Sequence, residues 1–381
     1  MFGLSPLTGV LAIAIPYAGI IAKVYAEILE EADQRPLSAV PVGAGSASTF
    51  LFVRLPDAWA HFRNYSMYRL ECGLRSSAVL GFIGLPTLGF HLETAFKEGL
   101  YSEVSALLIL FYLVIATMRI WMKKPLLPAY LIGAAIILPW GVAFSLSHIT
   151  RFFTQDIIPY PLRAGGDNMM SAFGDWLSVL LIDQALPGTV ATIQLTMIAL
   201  VATGFLTLVF FPLISPLLLG RAARTGGHVF LVVIRSTPEY ILAFVLLNLW
   251  GPSMLPAIVA LSLHNAGIIG HLIGRYTETV QLRLDAVRGV NRYFYEVLPR
   301  IYRPFLALLF YRWEVILRET AILGILGIAT LGFYVDSAFA DLRFDRALFL
   351  ILITAMLNIC VDAFSRSVRS RLRLQTTLEQ R

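Results

Sequence analysis

Apolar residues in this chain gather into nine runs, mostly near 20 residues long, separated by stretches rich in charge, glycine and proline. The runs cover residues 5–26, 58–86, 104–122, 128–149, 187–219, 229–249, 254–274, 301–328 and 346–365. Such lengths suit helices that cross a hydrocarbon core of about 30 Å. A backbone in lipid must satisfy its own hydrogen bonds, which continuous helices do. The pattern predicts an all-α polytopic membrane protein with about nine transmembrane helices, and it does not fit the alternating short strands of a membrane barrel. The segments 27–57, 150–186 and 275–299 are too polar to span, and 87–103 reads as an aqueous link or a short surface helix. Pro16 makes a straight first span doubtful, and the 187–219 run is expected to tilt or break near Pro212 and Pro216.

A repeat lies over this pattern. Tyr311 to Phe333, YRWEVILRETAILGILGIATLGF, matches Tyr68 to Phe90, YRLECGLRSSAVLGFIGLPTLGF, at 13 of 23 positions without a gap, 243 residues apart. Leu55-Pro56 and Leu298-Pro299 share that offset, as do Ala95-Phe96 and Ala338-Phe339, while Ala18-Gly19-Ile20-Ile21 recurs as Ala266-Gly267-Ile268-Ile269 at an offset of 248. Two related units are expected: a partial one over residues 1–122 with three spans, and a complete one over 123–381 with six. The first reads as lacking its front half.

Composition supports the membrane assignment. Hydrophobic residues make up 57%, charged residues 14%, and mean hydropathy is +0.74; a soluble globule carries about 25% charge. The net charge is +6, and the basic residues adjoining the spans mostly fall on the inside. With the basic tail Arg366 to Arg373 inside, Arg275, Arg283, Arg288, Arg292 and Arg300, Arg221 and Arg224, and Lys123-Lys124 all face the cytoplasm, as the positive-inside tendency asks. The 27–57 segment is also inside and Met1 outside. No basic face with polar or aromatic readers supports nucleic-acid binding. Cys72 and Cys360 lie in apolar surroundings and read as small core residues. The histidines form no ligand-spaced cluster, so no metal ligand is assigned. No catalytic arrangement and no nucleotide-binding glycine-rich loop is found, so the chain is not read as an enzyme.

Three stretches carry candidate chemistry. Leu284 to Pro299, LDAVRGVNRYFYEVLP, and Leu37 to Pro56, LSAVPVGAGSASTFLFVRLP, occupy corresponding places between spans. Each is expected to form a short amphipathic helix on the membrane surface, turning at its glycine and stopping before its proline. The repetition suggests a docking site for a cytoplasmic partner. Next, Arg312, Glu314, Arg318 and Glu319 open one span, with counterparts Arg69, Glu71 and Arg75. Charges there must pair, snorkel or face a watery interior, and structural pairing, gating and direct anion contact all remain open. Gly324, Gly327 and Gly332 suit close helix packing. Third, Arg235-Ser236-Thr237-Pro238-Glu239 makes a well-formed helix start, with Pro238 in the first turn and Glu239 at the positive end of the dipole. Asn265 is placed to bond between helices; His264 and His271 offer little support for a metal.

The EVLP segment followed by YRWEVILRETAILGILGIATLGF resembles the membrane subunit of phosphonate-type ABC importers, and Ile234 to Phe244, IRSTPEYILAF, is similar to the arginine–proline–glutamate stretch of that family. The resemblance covers the second unit nearly whole and, in the first, only the family's later half. It implies a bacterial inner-membrane permease with the type I importer transmembrane fold. Such a permease moves phosphonate or a related phosphorus oxyanion inward, driven by a separate ATPase dimer that binds ATP-Mg; this chain binds no cofactor. An extracytoplasmic binding protein delivers the cargo, and a second copy or another permease is a further potential partner. The ATPase-coupling residues it implies are Ser38, Ala39, Gly43, Leu55 and Pro56 in the first unit and Ala286, Gly289, Leu298 and Pro299 in the second. Gating or substrate-path candidates are Arg69, Glu71, Arg75, Arg312, Glu314, Arg318, Arg235 and Glu239. The match is poorer at the start of the loop, where residues 280–289 lack the family's usual beginning. Competing readings are an ion-coupled secondary transporter, disfavoured because its repeats are often inverted, and a non-transporting scaffold subunit.

Overall fold

The computed structural model describes residues 5–31, 36–37, 40–41, 43–82, 84–121, 126–138, 146–165, 168–251, 253–283 and 289–371. All regular structure among them is helical, and the chain divides into two units, Met1–Ser145 and Leu146–Arg381.

In the first unit α1 (Pro6–Glu31) packs on the long α3 (Leu55–Phe82), which follows a single short turn of helix, α2 (Ser46–Thr49). Aromatic and hydroxyl groups join α1 to α3. Tyr25 stacks on Phe62 at 4.2 Å and bonds Ser66, and the Tyr17 hydroxyl meets Ser76 Oγ at 2.9 Å. Then come α4 (Leu88–Lys97), α5 (Tyr101–Trp121) and α6 (Leu127–Ile137).

The second unit opens with three short helices, α7 (Leu146–Arg151), α8 (Tyr160–Ala164) and α9 (Met169–Leu180). Through a π-helical turn, α9 continues into α10 (Leu186–Phe210). The later helices are α11 (Arg221–Ser236), α12 (Glu239–Trp250), α13 (Met254–Tyr276), α14 (Leu298–Gly324), α15 (Leu331–Ala340) and α16 (Phe344–Arg371). Helix α13 is the hub, packing on α10, α11, α12 and α14. Its centre is Phe211, Ile269, Ile273, Val297, Ile301 and Phe305, each buried and together apolar. A buried hydroxyl ties α10 to α15: Thr192 Oγ1 accepts from the Leu331 N–H at 3.0 Å, an otherwise orphaned donor of the first turn.

The expected count of about nine spans, and with it the fold assignment built on that count, is corrected. Among the described residues four helices are long and apolar enough to cross a membrane: Pro6–Ala26, Met169–Leu213, Met254–Tyr276 and Phe344–Arg371. A fifth is reached if α11 and α12, bent by 88° at their junction, form one broken span. The differences have physical causes. The 229–249 run is interrupted because Pro238 supplies no N–H and pushes Thr237 into an extended conformation, φ −72°, ψ 118°. Helix α14 carries Arg300, Arg303, Arg312, Glu314, Arg318 and Glu319, and α3 carries Asp57, Arg63, Arg69, Glu71 and Arg75; both are long but too charged to count as apolar spans. The apolar stretch of α5 is the short Tyr101–Val114, and α6 ends at Ile137. The expected polar link 150–186 instead carries α8, α9 and π-helical turns, so the following span begins at Met169. Pro16 lies inside α1 without breaking it.

The segments α3–α4–α5 and α14–α15–α16 share one local geometry at the 243-residue offset. Gly84 and Gly327 both take left-handed φ, +96° and +83°. The Gly84 N–H donates to Gly81 O and the Gly327 N–H to Gly324 O, both at 2.9 Å. The Phe90 and Phe333 amides donate to Thr87 O and Thr330 O at 3.0 Å. A Cβ on Gly81 would lie 2.1 Å from Phe90 N, and one on Gly324 would lie 2.2 Å from Phe333 N, so only glycine lets each helix pair approach this closely.

Candidate functional site

Two features of the second unit carry chemistry: a surface turn before α14 and a buried polar group at the α11–α12 break. The turn begins at Gly289, φ +70°, and runs through a π-helical stretch, Arg292–Val297, directly into α14. The helix does not stop before Leu298-Pro299 as the sequence suggested. Pro299 lacks the N–H that would serve the carbonyl four residues back, and the Leu298 N–H reaches instead to Tyr293 O, five back. Leu55-Pro56 repeats the device, with the Leu55 N–H on Phe50 O, and Leu186-Pro187 uses it a third time, with the Leu186 N–H on Leu181 O.

The second-unit turn is anchored from below. Arg292 donates to Leu217 O at 3.0 Å, the Tyr293 hydroxyl donates to Leu208 O at 3.0 Å, and the Tyr293 ring stacks on Phe211 at 5.5 Å. Partial burial pushes the Tyr293 phenol above its ordinary pKa. Glu296 pairs with Arg300. Val290, Phe294 and Tyr295 stay exposed. In the first unit Gly43 turns with φ +99°, but helix begins only at Ser46; Leu51, Phe52 and Trp59 are exposed there. Leu55-Pro56 and Leu298-Pro299 sit at the starts of α3 and α14, while Ser38, Ala39 and Ala286 lie outside the described residues.

The buried group joins three helices. Glu239 starts α12 just past the 88° bend, His264 and Asn265 lie midway along α13, and Glu319 lies on α14. His264 Nδ1 sits 2.8 Å from Thr237 O; a carbonyl can only accept, so this nitrogen carries the proton. His264 Nε2 is 3.6 Å from Glu239 Oε2. Asn265 Nδ2 donates to Leu261 O at 2.9 Å and to Glu319 Oε2 at 3.0 Å. The ligand atoms of Glu239, His264 and Glu319 all lie within 4.8 Å of one another.

Of the charged candidates, Glu239 enters this group and Arg312 lies within electrostatic reach of Glu319. Glu314 and Arg318 form the expected i,i+4 pair at 3.0 Å, towards the surface. Arg235 ends α11, partly exposed. In the first unit Arg69 donates to the Tyr65 hydroxyl at 2.6 Å and lies over the Tyr65 and Tyr17 rings. Glu71 and Arg75 belong to α3, but their side chains lie outside the described residues. By sequence alone His264 has no role and Glu319 is one more interfacial charge. An ionisable residue in an apolar helix is by itself a pointer to function, and that signal was present at both positions.

Residues 209–374, which hold both features, match the family described as binding-protein-dependent transport system inner membrane component. The four long apolar helices among the described residues make the chain a multi-pass membrane protein. The chain is 26% identical to the phosphate-import permease protein PhnE of Mycolicibacterium smegmatis, over 97% of this chain and 73% of the relative. It is 33% identical to the phosphite transport system permease protein PtxC of Stutzerimonas stutzeri, over 28% of this chain and 39% of the relative. A shorter relative in Escherichia coli, provisionally named a cryptic phosphonate transport system permease protein, is 29% identical over 26% of this chain and 83% of its own length.

Proposed function

We propose that this chain is the membrane subunit of an importer that carries phosphonate or a related phosphorus oxyanion into the cytoplasm, driven by a separate ATPase. The observation that carries the reading is the family match over residues 209–374, joined to relatives whose names concern phosphate, phosphite and phosphonate. The glycine-to-Leu-Pro turns at 43–56 and 289–299 are the docking handles for the ATPase. Their exposed apolar side chains, Leu51 and Phe52 in one and Phe294 and Tyr295 in the other, sit on turns held by backbone bonds, and the second is pinned to α10 through Tyr293. Such a handle passes a push from the partner to the helix that follows it. An extracytoplasmic binding protein supplies the cargo from the opposite face.

The two units are a duplication, 1–122 and 123–381. The shared hydrogen bonds, left-handed glycines and helix contacts at one offset support this reading. Together the units would give the ATPase dimer its two handles within one chain.

The test is reconstitution in proteoliposomes with the neighbouring ATPase and binding protein. Uptake of phosphite, phosphate or an alkylphosphonate that requires ATP and survives collapse of ion gradients supports the proposal. Uptake that follows an ion gradient without ATP contradicts it.

A further inference from the structure

We propose that Glu239, His264 and Glu319, assisted by Asn265, form a binding site for a divalent transition-metal cation of the zinc or manganese type. The site goes beyond the transport reading and does not depend on which anion is carried. Four observations converge on it. The three ligand atoms lie within 4.8 Å of one another, a spacing that a small inward movement closes around an ion with ligand bonds of about 2.0–2.2 Å. His264 is held as metal-ligating histidines are: Nδ1–H is bound to a main-chain carbonyl, that of Thr237 at 2.8 Å, and Nε2 is thereby turned towards the carboxylates. Glu319 is oriented in the same manner by the Asn265 amide at 3.0 Å. Finally, Asn265 is fully buried and its Oδ1, on the amide that touches Glu319, has no hydrogen-bond partner. The amide cannot turn to cure this, because Nδ2 must face Leu261 O. Two carboxylates and an imidazole nitrogen gathered next to a buried amide whose oxygen is unpartnered are matched by a cation, and one imidazole with oxygen donors suits zinc or manganese.

The position gives the ion mechanical meaning. Glu239 is the first residue after the α11–α12 bend, His264 lies on the hub helix, and Glu319 lies on the helix that follows the Leu-Pro turn. A bound cation would fasten all three where the chain is bent, and would offset two carboxylates packed in a low-dielectric interior. It would also remove negative charge from the interior of a protein read as passing anions.

The experiment uses the full chain in detergent without a histidine tag, stripped with chelator, loaded with zinc chloride or manganese chloride, and desalted. Elemental analysis is expected to find one zinc per chain, and manganese-loaded protein to show nitrogen hyperfine coupling from His264 by pulsed electron paramagnetic resonance. Glu239→Gln and Glu319→Gln keep size and, for Glu319, the hydrogen bond from Asn265; each is expected to weaken zinc affinity about tenfold or more. His228→Asn, outside the group, is expected to retain the metal. The proposal is overturned if wild-type protein of native elution profile retains neither metal. It is equally overturned if both glutamine variants bind as wild type does, or if bound manganese shows no nitrogen coupling.

Discussion

At the residue scale, close approach and buried polarity decide what can be changed. Gly324→Ala places a Cβ 2.2 Å from Gly332 C, in backbone that cannot swing aside. The substitution is expected to destabilise the protein by about 1–3 kcal/mol, read as a lower midpoint in detergent thermal unfolding. Gly174→Ala in α9, where a Cβ meets nothing within 4 Å, is expected to leave the midpoint unchanged or raise it slightly. Asn265→Ala removes the donor from Glu319 and is expected to cost about 1–3 kcal/mol in the same assay. Tyr293 gives a pH signature. Its proton is held in the folded state above the ordinary value of 10.0, so near and above that pH the unfolded chain releases a proton the folded chain keeps. Stability should therefore fall as pH rises past 10, more steeply in wild type than in Tyr293→Phe. Gly324 and Gly332 were legible in the sequence as packing residues, whereas Gly327, read the same way, is a left-handed turn residue whose Cβ would meet nothing within 4 Å. The partners of Glu319 were not legible, since residues 239, 264 and 319 lie on three separate helices whose rotation no local pattern sets.

At the element scale, the recurring device is the Leu-Pro turn. Proline removes one donor, the helix widens to a π turn, and the chain runs on into a long helix. Pro299→Ala restores the missing N–H and is expected to favour an ordinary α-helical turn, seen as greater hydrogen-exchange protection across residues 292–299. A variant with unaltered exchange there would show that proline is not the cause. The sequence marked turns at 37–56 and 284–299 but ended a helix before the proline of each, because a proline reads locally as a stop. The helix start at Pro238-Glu239 was legible, and α12 does begin at Glu239; the 88° change of direction there was not, because apolar residues flank the break on both sides. Hydropathy also overcounted the spans, because α3 and α14 mix apolar length with charge.

At the scale of the whole molecule, the account joins a family match in the second unit to two corresponding handles and a bent helix pair near a buried polar group. Residues 68–90 and 311–333, alike in sequence, carry matching turns and hydrogen bonds, and the proposed duplication rests on these. If both handles receive the ATPase, replacing left-handed Gly43 or Gly289 by valine should lower transport while sparing the ATPase's own basal turnover, because a β-branched residue resists positive φ. The most direct measurement of the central claim is ATP hydrolysis by the reconstituted permease–ATPase complex, with and without the loaded binding protein. The account predicts that phosphonate-, phosphite- or phosphate-loaded binding protein stimulates hydrolysis in wild type and fails to do so in the Gly43→Val, Gly289→Val double variant. Equal stimulation in the double variant, or none in wild type with any of these cargoes, would contradict it.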